Sequence, residues 1–81
     1  MNIPQHVYIS VTVEFSPEGL SRPLSLIWTD GRKYEIDKLV RVERRAASWG
    51  GGALRYEVML GGQTRFLYRQ GDRWFVEIPP R

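Results

Sequence analysis

The 81-residue chain has no cysteine and a single histidine. The first absence excludes a disulfide scaffold, a thiol nucleophile and a thiolate metal site together. The second leaves His6 as the one imidazole, near the start of the chain and without a nucleophile in a matching context. Ser10 and Thr12 share its strand parity, but no elbow motif surrounds them. Metal binding would fall to carboxylates alone. Asp30 sits in a turn and Glu35 and Asp37 alternate along a strand, far from the density of oxygen ligands that a calcium loop needs. No cofactor and no small-molecule substrate are expected, and the chain reads as a non-enzyme.

Long apolar runs are also lacking. None approaches the roughly 18–20 residues that cross a bilayer. The opening Met1-Asn2-Ile3-Pro4-Gln5-His6 has no basic segment followed by an apolar stretch, so no signal peptide is expected. A small secreted domain without covalent staples would be unusual, which points to the cytoplasm. There is no low-complexity tract and no internal repeat.

What is present is the composition of one small globular domain spanning residues 1–81. Hydrophobic residues make up 42% and charged residues 26%, which suits a folded chain rather than a disordered one. Ten aromatic side chains give a thin core large groups to bury. Charge is uneven. Residues 1–40 set Arg22, Arg32, Lys33 and Lys38 against five carboxylates, whereas residues 41–81 set eight arginines against Glu43, Glu57, Asp72 and Glu77. Arginine favours planar anions and aromatic faces.

The dominant periodicity is two. Val7, Ile9, Val11, Val13 and Phe15 alternate with polar neighbours and Tyr8, predicting a half-buried strand. Ser16-Pro17-Glu18-Gly19 supplies a turn. Leu24, Leu26 and Trp28 face one way on a second strand. Asp30-Gly31 predicts a type I′ hairpin into a third strand carrying Tyr34 and Ile36, with the two strands antiparallel. Residues 37–48 are open to two readings. The Val40–Val42 parity continues the strand and would turn Lys38 inward, which implies a bend, bulge or edge; Leu39, Val42, Ala46 and Trp49 alternatively fit a short helix. Beyond the flexible Gly50-Gly51-Gly52 loop, Tyr56, Val58 and Leu60 mark another strand. Gly61-Gly62 is a two-residue hairpin turn. Phe66 and Tyr68 then share one face of the next strand, with Leu67 between arginines on the other. Gln70-Gly71-Asp72 turns the chain into Trp74, Val76 and Ile78. About six strands predict an all-β fold, a small antiparallel meander curled into an SH3-like barrel. The alternative is an open antiparallel sheet with one short helix around 37–48.

Two binding readings follow. The glycine run at 50–52 lacks the lysine and helix start of a phosphate loop, but Trp49 beside it is either an exposed anchor for a protein partner or a lid on the core. Arg65 and Arg69 flank Leu67, with Arg55 on the neighbouring strand, and these three could track a single-stranded nucleic acid. Against that, Arg41, Glu43 and Arg45, and likewise Arg55 and Glu57, mix signs in the way of ordinary solvated cross-strand pairs. The leading expectation is a non-catalytic interaction or adaptor module, binding a protein partner or a second copy of itself and no membrane. The alternative is a nucleic-acid-binding small barrel.

The run Leu24-Ser25-Leu26-Ile27-Trp28-Thr29-Asp30-Gly31-Arg32-Lys33-Tyr34-Glu35-Ile36 resembles the core of a family of short bacterial proteins with a W-x-D-G-R-x-Y-x-I hairpin. A later R-Y pair, here Arg55-Tyr56, and a terminal W-F, here Trp74-Phe75, extend the resemblance from about Val11 onward. The hairpin pattern is more distantly similar to a small domain accompanying translesion-type DNA polymerases. The resemblance implies a bacterial cytoplasmic domain near DNA repair, and it brings no functional residues with it.

Overall fold

In the computed structural model, which describes residues 5–46 and 52–78, the chain is all β. Seven strands follow in order: β1 (Gln5–Phe15), β2 (Ser21–Ile27), β3 (Lys33–Glu35), β4 (Lys38–Ala46), β5 (Gly52–Leu60), β6 (Gln63–Gln70) and β7 (Arg73–Ile78). Their order across the sheet is β3-β2-β1-β7-β6-β5-β4, antiparallel throughout.

The curl comes from two stretches of chain that change partner. The first half of β1 pairs with β7, and from Ser10 onward it pairs with β2. Likewise β3 pairs with β2 and β4 with β5. The second switch falls on two adjacent residues: Ile36 N–H donates to the Leu24 carbonyl, and Asp37 N–H donates to the Met59 carbonyl. Strands that change sheets make the corners of such folds. The result is a barrel-like sheet wrapped around one core.

The helix alternative over 37–48 is overturned for the described part of that stretch, because Lys38–Ala46 is a strand. The expected irregularity at Lys38 is present. Register shifts between Leu39 and Arg41, leaving Val40 without a cross-strand partner. This bulge turns Lys38 outward and Leu39 toward the core. Seven strands appear where about six were expected because the 33–46 stretch breaks at the corner formed by Ile36 and Asp37.

Turn chemistry agrees in place and differs once in type. Gly61 and Gly62 both have positive φ, as a type I′ turn requires. At Asp30-Gly31 only Gly31 does, with φ 88°. Gly31 N–H donates to the Trp28 carbonyl and Trp28 N–H to the Arg32 carbonyl. That is a type I turn closed by a glycine bulge, not the expected type I′, so Asp30 avoids the left-handed region. Its Oδ1 instead accepts from Arg32 N–H. The Ser16–Leu20 turn repeats the same hydrogen-bond pattern around Gly19.

The inner face collects Leu26, Tyr56, Val58, Leu67 and Trp74, with Ile9, Val11, Val13, Trp28, Ile36, Leu39, Leu54, Leu60 and Val76 packed against them. Tyr56 reaches across this core from β5, and its hydroxyl hydrogen-bonds Ser21 Oγ on β2 at 2.6 Å. Tyr56 is 1% exposed. A buried phenol needs such a partner.

Candidate interaction surface

The outer face carries a second apolar cluster that the sequence did not announce. Alternation along β7 puts Trp74 inside and Phe75 outside, yet Phe75 is 0% exposed. His6 stacks on it at 4.4 Å between centroids, Tyr68 stacks at 5.4 Å, and Tyr8 meets it edge-on at 5.6 Å. His6, near the start of β1, is thus part of this cluster. It lies partly buried over Phe75, with Nε2 3.6 Å from Glu77. The missed signal was the unbroken apolar run Trp74-Phe75-Val76, since a strand covered on both faces loses its alternation.

A row of side chains extends from this cluster across the sheet. Register aligns Tyr8 with Phe75, Phe75 with Tyr68, Tyr68 with Arg55, and Arg55 with Glu43. Arg55 Nη2 donates to Glu43 Oε1, and its guanidinium lies 4.6 Å over the Phe66 ring. The Arg55 hydrogen bond holds the Glu43 carboxyl below the ordinary glutamate range, and the nearby Arg41 and Arg45 act the same way. The same bond raises Arg55. Desolvation pushes the Tyr68 hydroxyl up, with Glu77 reinforcing the shift. One row over, Arg41 is 3.2 Å from Glu57, and Arg73 lies 3.9 Å over Tyr8. Both carboxylates facing this row from β4 and β5 already hold an arginine.

The three arginines expected to form one track do not share a face. Arg55 belongs to this outer row. Arg65 and Arg69 have the parity of Leu67, which is core, so they rim the inner face. Arg65 bonds the Thr64 carbonyl and Gln63 Oε1. Arg69 bonds the Gly71 carbonyl and lies 5.8 Å from both Phe15 and Trp74. Arg65 borders a hollow of about 570 Å³ that includes Trp28, Tyr34, Leu60 and Ile78. Arg69 borders separate hollows at the other end of β6. Trp49, the other candidate, lies outside the described residues.

The site that the strand order exposes is the edge of β4. Eight of its nine residues, all but Val40, pair on one side with β5. On the other side no strand pairs with them among the described residues, because β3 ends at Glu35 and takes β2's edge only along Ser25–Ile27. Val42 shows the consequence. It stands opposite the fully buried Tyr56 on the inner face, yet remains 42% exposed. Val40 is equally exposed on the bulge. Lys38, Arg44 and Arg45 are exposed and form no ion pair among the described residues.

Comparison with protein-family models, with curated proteins and with solved structures finds no match to this chain. Among the described residues, no helix is long and apolar enough to cross a membrane.

Proposed function

We propose that the protein is a non-catalytic interaction module that engages a protein partner through the free edge of β4. The observation that carries this reading is the nine-residue strand whose second row of backbone donors and acceptors is unpaired among the described residues. An unpaired strand edge is a template for another extended chain. Val40 and Val42 add apolar contact area there. The resemblance of the Trp28 hairpin to a domain accompanying translesion-type polymerases makes DNA-repair proteins, in a bacterial cytoplasm, the first partners to try.

The reading is tested by affinity capture with the wild-type chain and a Val40→Pro variant. Val40 has no cross-strand partner in β5, so proline there leaves the paired residues of that ladder in place while it disturbs the strand at its edge. The proposal expects a protein retained by the wild type and lost from the variant, with both chains folded by circular dichroism. Identical capture by both would sink it.

A second reading, a single-stranded nucleic-acid binder, keeps Arg69 of the three arginines first considered. Arg44, Leu54, Arg69 and Trp74 form one inner row by register, and Phe15 lies beside Arg69. Cations beside rings suit a phosphate and a base. An oligothymidine titration at low salt, repeated with Arg69→Ala, tests it: binding must appear, must weaken as salt rises, and must fall in the variant.

A further inference from the structure

We infer that the chain β4 accepts is an acidic, extended segment of another protein rather than a second copy of itself. This rests on the β4 edge being the docking site and adds the chemistry of its occupant.

Charge carries the inference. Lys-Leu-Val-Arg-Val-Glu-Arg-Arg-Ala, residues 38–46, sets four cations against one carboxylate. That carboxylate, Glu43, is already held by Arg55, and Arg41 is held by Glu57. What remains toward a newcomer is Lys38, Arg44 and Arg45. Alternation splits them, since Arg44 stands opposite Leu54 on the inner face and Arg45 opposite Ala53 on the outer face. An added strand would therefore meet free cations on both of its faces. Acidic side chains directly across from them are favourable, and like charges there are not.

The same arithmetic disfavours self-pairing. Two β4 strands laid antiparallel bring four cations against four. The register centred on Val42 would set Arg41 against the partner's Glu43, but both groups are engaged within their own sheet. Basic residues and a bulge along an edge are a known guard against like strands joining. The guard here is of one sign, so it screens out a copy and leaves an acidic strand unopposed.

The inner side supplies the apolar part of the fit. Val42 faces inward opposite Tyr56 and remains 42% exposed. Alternate residues of a seated strand would point at Val42, so apolar residues are expected there and acidic residues between them.

The experiment uses the full chain and a capped peptide of six Glu-Val repeats, followed by amide cross-peaks in nitrogen-15 spectra. The expected result is perturbation and slowed hydrogen exchange at residues 38–45, weakening as salt is raised from 50 to 200 mM. Arg44→Glu with Arg45→Glu should weaken binding at least about tenfold while the spectrum stays folded. N-methylation of every peptide residue should abolish binding, because it removes the donors of both strand edges.

Equal binding of the methylated peptide would overturn strand addition, leaving bare charge attraction. Tighter binding of oligothymidine on the same amides would overturn the protein identity of the occupant. Charge reversal that yields dimers, with no peptide bound by the wild type, would show the cations to be a guard and nothing more. A Thr-Val peptide that protects β4 while the Glu-Val peptide does not would sink the acidic occupant and spare the interaction module. Failure of every peptide, together with unchanged capture by Val40→Pro, would remove both.

Discussion

The two long sides of β4 lead into opposite environments. Toward β5, β6 and β7 the outer row runs Glu43, Arg55, Tyr68, Phe75 without a gap. Its carboxylate on β4 has a cation, and its central ring is fully covered. Away from β5 the same strand shows three cations without ion pairs among the described residues and two valines half open to solvent. A single strand is thus finished on one side and unfinished on the other. Small domains rarely have surface to spare, so the contrast separates residues that hold the fold from residues available for contact.

The largest effect that can break this contrast is expected at Phe75. Phe75→Ala should cost about 3–5 kcal/mol, as for other buried phenylalanines. The whole stability of a chain this size is on the order of 4–12 kcal/mol, so the variant should be largely unfolded or close to it. Urea denaturation followed by tryptophan fluorescence measures this. A cost under about 1 kcal/mol would mean that the outer cluster is decoration.

Next comes Ser21→Ala. It removes the partner of the Tyr56 hydroxyl beside the unfinished edge, and leaving a buried hydroxyl unsatisfied costs about 1–2 kcal/mol. Pairing it with Tyr56→Phe should recover part of the loss, because both polar groups are then gone. A non-additive double-mutant cycle is the expected signature that β2 and β5 are clasped across the core.

Much of this was legible in the residues themselves. Alternation marked the faces of β1, and Gly61-Gly62 marked the turn between β5 and β6. Lys38 announced the bulge because a lysine at an inward parity demands an irregularity. The type of the Asp30-Gly31 turn was not legible, since Asp-Gly serves both two- and three-residue loops. A period of two puts Phe75 on the outer face and cannot report the three rings that β1 and β6 bring over it. The arginines misled for a related reason. Arg65 and Arg69 looked like a solvent face until Leu67 between them proved to be core. The free edge of β4 depends on strand order, which no local pattern encodes.

A smaller effect separates the regions by pH. Glu43 is held below its ordinary value, chiefly by Arg55. A carboxyl lowered in the folded state adds stability above its unfolded value, about 4.3. That contribution is lost as pH falls through the lower folded value. The wild type should therefore lead Glu43→Gln in melting temperature near neutrality, with the lead shrinking below about pH 4. Added salt should reduce it too, because the pair is partly exposed. A lead unchanged across that range would mean that the carboxylate's charge is irrelevant to the fold.

The smallest effect sharpens the contrast most, because it asks one question at two positions. Val42 and Val58 both face inward, on neighbouring strands. Val58 is 0% exposed and Val42 is 42% exposed. Threonine keeps the β-branched shape and adds a hydroxyl. At Val58 that hydroxyl has no water and should cost about 1–3 kcal/mol. At Val42 it meets solvent, and the change should stay within about 0.5 kcal/mol. If instead Val42→Thr destabilises as Val58→Thr does, the edge is already covered in solution by part of the same chain, and no room remains for an added strand. If it leaves stability alone but weakens a seated peptide, Val42 is apolar for the sake of a contact that the isolated domain does not make.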